Sequence, residues 1–221
     1  MNQNLEVCTF NLNDFNSAIQ HNITRIELCS NKGVGGISPE INEVKYATSK
    51  GIPIHPIIRP RPGNFSYNKK EIQNMINYIS HCRELGCKGI VFGILDKNYE
   101  IDLINCKKII RESKDISKTF HMAFDMTKDV FDSMEKIIDL GFDRILTSGK
   151  NKSAIEGKEI INELAIKGHN RISIMPGSKL RSSNIDAFTN NNFIHEYHSS
   201  CYINNKFSEI ELNKLIKKIF N

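Results

Sequence analysis

Short β-branched and aromatic runs alternate along the chain with longer stretches of helical period. The runs are Leu5–Thr9, Arg25–Cys29, Ile52–Ile58, Gly89–Leu95, Thr119–Ala123, Arg144–Thr147, Arg171–Met175 and Ile194–His198, and each reads as a strand. Between them lie amphipathic stretches such as KKEIQNMINYISHCRELG and VFDSMEKIIDLG, which read as helices. Several end in Gly51, Gly86, Gly141 or Gly168, where a left-handed residue closes a helix. The pieces ITRIEL, FDRILT and HNRISI are variants of one phrase, a helix exit into a strand that opens with Arg-Ile.

About eight strands alternating with helices predict parallel pairing through right-handed crossovers. Units of roughly 20 to 37 residues favour closure into a (β/α)8 TIM-type barrel over an open doubly wound sheet. The open fold also wants G-x-G-x-x-G after its first strand. The glycines of NKGVGGIS, at 33, 35 and 36, follow the second strand without that spacing, so no nucleotide cofactor is expected. No Pro/Ser-rich linker breaks the rhythm, and residues 1–221 read as a single domain.

Strand period is two, and the face packed on helices must be apolar, so the polar set of each strand points into the barrel. That predicts inward Glu6 and Cys8 on strand 1, with Arg25, Glu27 and Cys29 on strand 2. It predicts His55, Ile57 and Arg59 on strand 3, and Thr119, His121 and Ala123 on strand 5, with Asp125 just beyond. Strand 6 offers Thr147, strand 7 Ser173 and Met175, and strand 8 Glu196 and His198. An ordinary barrel interior is filled by Val, Ile and Leu. Ionisable groups buried in such number indicate a site at the C-terminal mouth, a self-satisfied polar network, or one supporting the other. Arg25, Arg144 and Arg171 open their strands and belong at the opposite, N-terminal end, as stability residues.

Loops after the strands add anion-binding candidates. Arg59-Pro60-Arg61-Pro62-Gly63 is a stiffened loop holding two guanidiniums suited to a carboxylate or phosphate, or paired with the inward glutamates. Thr147-Ser148-Gly149 and Met175-Pro176-Gly177-Ser178 can present N–H groups to an anion.

Composition changes this picture little. Thirty basic and 25 acidic residues give +5, but the lysines are dispersed, and Lys214, Lys217 and Lys218 lie on an amphipathic final helix that reads as a solvated face. Neither nucleic acid nor membrane is an expected partner; no apolar run approaches the ~18 residues of a span. Cysteines at 8, 29, 82, 87, 106 and 201 form no CxxC and no zinc-type spacing. With no export signal in MNQNLEVCTF, reduced thiols and a cytoplasmic location are expected. Cys82, Cys87 and Cys106 read as small core residues.

Several ordered motifs are similar to those of the CutC family: LEVC at 5–8, RIELCSN at 25–31, GG at 35–36, IRPRPGNF at 58–65, VFGIL at 91–95, FHMAFD at 120–125, GFDRILTSG at 141–149 and IMPG at 174–177. The chain resembles that family over essentially its whole length. The resemblance implies a TIM-type barrel, a cytoplasmic location, commonly a homodimer, and a role in copper homeostasis with Cu(I) as ligand; it implies no established reaction. Departures are Met122 where the family reads FHRAFD, Ser178-Lys179 where it reads MPGGG, and GGISPE for GGLTPS. The lost glycines put anion binding by the loop after strand 7 in doubt, while Met122 is expected to face outward.

Two functions follow. One is Cu(I) binding by Cys8 and Cys29, placed inward on neighbouring strands at matching height, with His121, His198 or Met175 completing the set. The other is an enzyme on a small anionic substrate, using Glu6, Glu27, His121, Asp125, Glu196 and His198 with His55 as acid–base groups, and Arg59, Arg61, Thr147 and Ser148 as anion binders.

Overall fold

The computed structural model describes residues 3–220. Eight parallel strands carry the barrel: β1 (Asn4–Thr9), β2 (Arg25–Leu28), β3 (Ile54–Pro56), β4 (Gly89–Phe92), β5 (Ser117–Phe120), β6 (Arg144–Thr147), β7 (Ser173–Pro176) and β8 (Glu196–Ser199). They run as two four-stranded arcs, β3-β2-β1-β8 and β4-β5-β6-β7. Backbone bonds Lys88 N–H to Ile54 O (3.1 Å) and Ile58 N–H to Val91 O (2.8 Å) join the arcs on one side, and β7 lies beside β8 on the other. The helices outside are α1 (Leu12–Ala18), α2 (Ile41–Thr48), α3 (Lys69–Glu84), α4 (Leu103–Glu112), α5 (Val130–Leu140), α6 (Lys158–Gly168), the short α7 (Asp186–Thr189) and α8 (Glu209–Phe220).

The helices form where spacing and caps coincide. In α3, Ile72, Met75, Ile79 and Cys82 bury one face. Its start is fixed reciprocally: the Asn68 side chain accepts from Glu71 N–H, and the Glu71 carboxylate accepts from Asn68 N–H. Asp129 caps α5 the same way from one side, and Gly141 closes that helix at φ 82°. Gly168 differs from its expected role: it is the last residue of α6, and a Cβ there would meet Ile172 Cγ2 at 3.0 Å. Close packing of helix on strand selects glycine at this position, and the left-handed turn falls on Asn170 at φ 61°.

The alternation separates two cores. Val7, Ile26, Ile54, Ile145 and Ile174 face the helices in one continuous apolar cluster. Inside the barrel the apolar cluster is small: Cys8, Cys29, Ile57 and Val91, with Phe10 against it. Below that, the interior is ionic. Glu6 accepts from Arg25 Nε at 2.6 Å, Arg25 also pairs with Glu196, and Glu196 accepts from Arg144 Nε at 3.0 Å. Arg25 and Arg144 therefore carry the structural role expected of them. Arg171 lies outside the barrel: it precedes β7 and pairs on the surface with Glu135 at 2.6 Å.

Several strands are shorter than their sequence pattern suggests, and for β3 and β5 the cause is visible. Pro53 and Pro56 lack N–H donors and restrict β3 to three residues. β5 stops at Phe120, because the His121 Nδ1 accepts from Ala123 N–H at 3.2 Å and caps a 3-10 turn over Met122–Met126. On β6 the inward positions are Arg144 and Leu146, not Thr147.

Glycine at the start of β4 makes room for an inward ring. A Cβ on Gly89 would lie 2.5 Å from His55 Cε1. Gly89→Ala is expected to destabilise the fold by about 1–3 kcal/mol through overpacking. The midpoint of urea unfolding measures this; an unchanged midpoint would mean that His55 is free to move.

Candidate functional site

A cavity of about 330 Å³ opens at the C-terminal end of the barrel. Its lining includes Cys8, Glu27 and His198 at the floor, Ile57, Phe65 and Leu146 as apolar wall, and Arg59, His121, Lys179 and Arg181. Met122 also lines it. The expectation that Met122 faces outward fails because strand alternation ends at Phe120, two residues earlier.

The floor is built by strand register. β1 and β2 pair Glu6 with Arg25 and Cys8 with Glu27, so Cys8 stands level with Glu27 rather than with Cys29. The matching height expected for the two cysteines is therefore absent, a consequence of barrel stagger. Their side chains converge nonetheless, with Sγ atoms 3.7 Å apart. One donor atom each from Cys8, Glu27 and His198 fall within 4.8 Å of one another, all on buried side chains. Glu27 thus stands beside Cys8, level with it across the two strands. His198 is fixed between two carboxylates, Nδ1 2.7 Å from Glu6 Oε1 and Nε2 3.6 Å from Glu27 Oε2.

Burial and neighbouring charge set the protonation states. The hydrogen bond between the thiols, then burial, pushes Cys8 well above the ordinary thiol value; burial pushes Cys29 up to about 12. Burial is the largest influence on Glu27 too and raises it above the usual carboxylate range. For Glu6 burial opposes the charge, but Arg25 and the His198 contact outweigh it and hold the carboxyl well below that range. His198 is a similar contest: burial lowers it, and the Glu6 bond with the charges of Glu27 and Glu6 raises it above an ordinary imidazole. Burial brings His55 and His121 each down to about 3; the Glu6 charge beside His55, itself opposed by Arg25, does not offset it.

The remaining sequence candidates divide by placement. Glu6 lies directly beneath the floor, and Glu196 sits at the far end of the ionic chain. His55, with Nδ1 3.9 Å from Glu6 Oε2, is part of that substructure. Met175 accepts from Arg25 Nη2 at 3.2 Å, away from the thiols. Asp125 accepts from Thr147 Oγ1, from Ser148 N–H and Oγ and from Lys150 N–H, so these donors already serve a carboxylate of the chain. Arg61 pairs with Glu71 at 2.5 Å and braces the carbonyls of Asn64 and Ser66. Among the described residues Arg59 pairs with no glutamate; it donates to the carbonyls of Val34, Gly36 and Gly63. Cys82, Cys87 and Cys106 are buried in the outer core, as expected. Sequence reasoning missed Lys179, Arg181, Phe65 and Leu146. Lys179 was legible as a cation in the loop after strand 7, but the loss of glycine there drew attention to the backbone instead of the new side chain.

The arrangement suits a soft metal. Two thiols and an imidazole are the donors that monovalent copper prefers. Two metal–sulfur bonds of about 2.3 Å in line would need about 4.6 Å between sulfurs. The observed 3.7 Å fits a bent pair with room for a third donor.

The model of the CutC family matches residues 3–203. A CutC family protein of Glaesserella parasuis is 39% identical over 197 residues, covering 89% of this chain and 81% of the relative. One from Parabacteroides distasonis is 40% identical over 203 residues, with 90% and 83% covered. The crystal structure of the copper homeostasis protein CutC of Streptococcus agalactiae superposes with a TM-score of 0.83 at 32% identity, covering 90% of this chain and 98% of that one. An aldolase at 15% identity, with a TM-score of 0.59, shares the barrel fold alone.

Proposed function

The chain belongs to the CutC family, and from that premise we propose that it binds Cu(I) at the floor of the mouth cavity, in the service of copper homeostasis. The observation that carries this reading is the approach of the Cys8 and Cys29 sulfurs to 3.7 Å, with Cys8 also grouped within 4.8 Å of donor atoms on His198 and Glu27. Cys8 and Cys29 supply the soft ligands and His198 Nε2 the third. Glu6 holds the other ring nitrogen of His198 and so orients it, as partners of ligating imidazoles commonly do. Glu27, raised above the usual carboxylate range by burial, stands beside Cys8 and His198. All six cysteines are free thiols, the state a reducing cytoplasm maintains.

The protonation states give the reading a pH signature. Both thiols are held protonated at neutral pH, and His198 is raised, so an incoming ion must displace protons. Apparent Cu(I) affinity is then expected to rise with pH, by about one decade per unit for each proton released. Anaerobic competition against a Cu(I) chelator at several pH values measures the slope. Cys106→Ser, in the outer core, is expected to leave it unchanged. A flat profile would mean that no thiol or imidazolium proton is displaced, and the ligand assignment would fall.

A further inference from the structure

Three cations line the cavity without a carboxylate to balance them. Arg59 is only 7% exposed, its terminal nitrogens face three neutral carbonyls, and its Nε has no hydrogen-bond partner. Arg181 donates to Leu180 O, Ser199 Oγ and Tyr202 O, again all uncharged. Lys179 is exposed at the rim, and among the described residues no acid pairs with it or with the two arginines. The only acid among the lining residues is Glu27, which sits with the thiols and His198. A buried guanidinium without a counter-ion is costly, and the fold keeps one facing this space.

Two further observations concern the same place. Among the described residues the buried His121, which lines the cavity, accepts at Nδ1 and so carries its proton on Nε2, yet that nitrogen has no partner. Ser178 and Lys179 both adopt left-handed backbone, at φ 68° and 54°, a conformation that is strained in a side-chain-bearing residue. Strain of this kind persists where the surrounding structure enforces it and often accompanies function. The apolar wall of Ile57, Phe65 and Leu146 completes a chamber at the lower end of small-molecule cavity sizes, far larger than one ion needs.

We propose that this cavity binds a small organic anion, a carboxylate or phosphate monoester on a compact apolar body, with its charged group held by Lys179, Arg181 and Arg59. The proposal goes beyond Cu(I) binding and does not rest on it, so its test uses metal-free protein with a copper chelator present. Benzoate, phenyl phosphate and the neutral benzyl alcohol are titrated calorimetrically at low salt. At least one anion is expected to bind, and benzyl alcohol at least about tenfold more weakly. Which anion binds separates the carboxylate from the phosphate. Lys179→Gly is expected to weaken that binding about fivefold, the scale of one exposed charge pair, while raising Tm by relieving the left-handed strain. Binding by neither anion, equal binding of benzyl alcohol, or unchanged affinity in the Lys179→Gly variant would each overturn the proposal. The Tm of that variant shows that it has folded.

Discussion

Replacement of Arg25 by methionine is expected to cost about 3–5 kcal/mol of stability, the loss typical when one partner is taken from a buried ionic cluster. Arg25 is buried and bridges Glu6 and Glu196, two carboxylates from different strands. Methionine fills much of the volume but leaves Glu6 with only the imidazoles of His198 and His55 and Glu196 with Arg144 as its one cation among the described residues. The deficit carries a pH signature. Glu6 and Glu196 are both held below the ordinary carboxylate range. A depressed carboxyl contributes stability that is present above its unfolded value and is lost as pH falls through its folded one. The difference between Arg25→Met and the parent should therefore be full at neutral pH and shrink in acid. Urea unfolding of both proteins at pH 7 and pH 4 reads it. A variant within about 1 kcal/mol of the parent at pH 7, the range of exposed pairs, would show that the cluster is not the structural element described here.

The histidines modify the acid limb. His55 and His121, each at about 3, are buried neutral, so acidification from the ordinary imidazole range downward favours the unfolded chain. His198 is raised and has the opposite sign: its contribution is present at low pH and fades as pH rises through its folded value. The lowered imidazoles of His55 and His121 and the lowered carboxyls of Glu6 and Glu196, set against raised His198 and Glu27, are expected to leave the protein acid-labile overall.

The barrel was legible because its signal is repeated. Eight apolar runs with helical stretches between them admit few topologies, and alternation on β1, β2 and β8 correctly turned Glu6, Cys8, Glu27, Glu196 and His198 inward. The same rule failed where a strand ended early. His121 caps a 3-10 turn, so Met122 reaches the cavity and Asp125 folds onto Thr147 and Ser148. No period in the sequence announces a turn made by a side-chain ring nitrogen. Height was lost for a related reason: alternation gives the face of a strand but not its stagger against its neighbour, so Cys8 stands level with Glu27. The arginines show the third limit. Their types and positions were legible, but a guanidinium that only braces a loop, as Arg61 does, has the same spelling as one that also faces the cavity, as Arg59 does.

The paired thiols are the centre of the account, and their removal should produce its largest effect on binding. Cys8 and Cys29 contribute the two soft donors, and no third cysteine joins them among the described residues. Serine at both positions keeps near-equal volume and preserves a polar hydrogen on each side chain, so the fold is expected to survive. What is lost is the soft character on which Cu(I) preference depends. Merely orienting a metal ligand is worth about 10–100-fold in affinity, so deleting two ligands should cost at least about 100-fold.

The direct measurement is an anaerobic competition titration of wild type and the Cys8→Ser/Cys29→Ser double variant against a Cu(I) chelator under reducing conditions, with circular dichroism to confirm the fold of both. The account predicts one Cu(I) per wild-type chain and loss of that binding in the folded double variant. Equal affinity in the two proteins would contradict it.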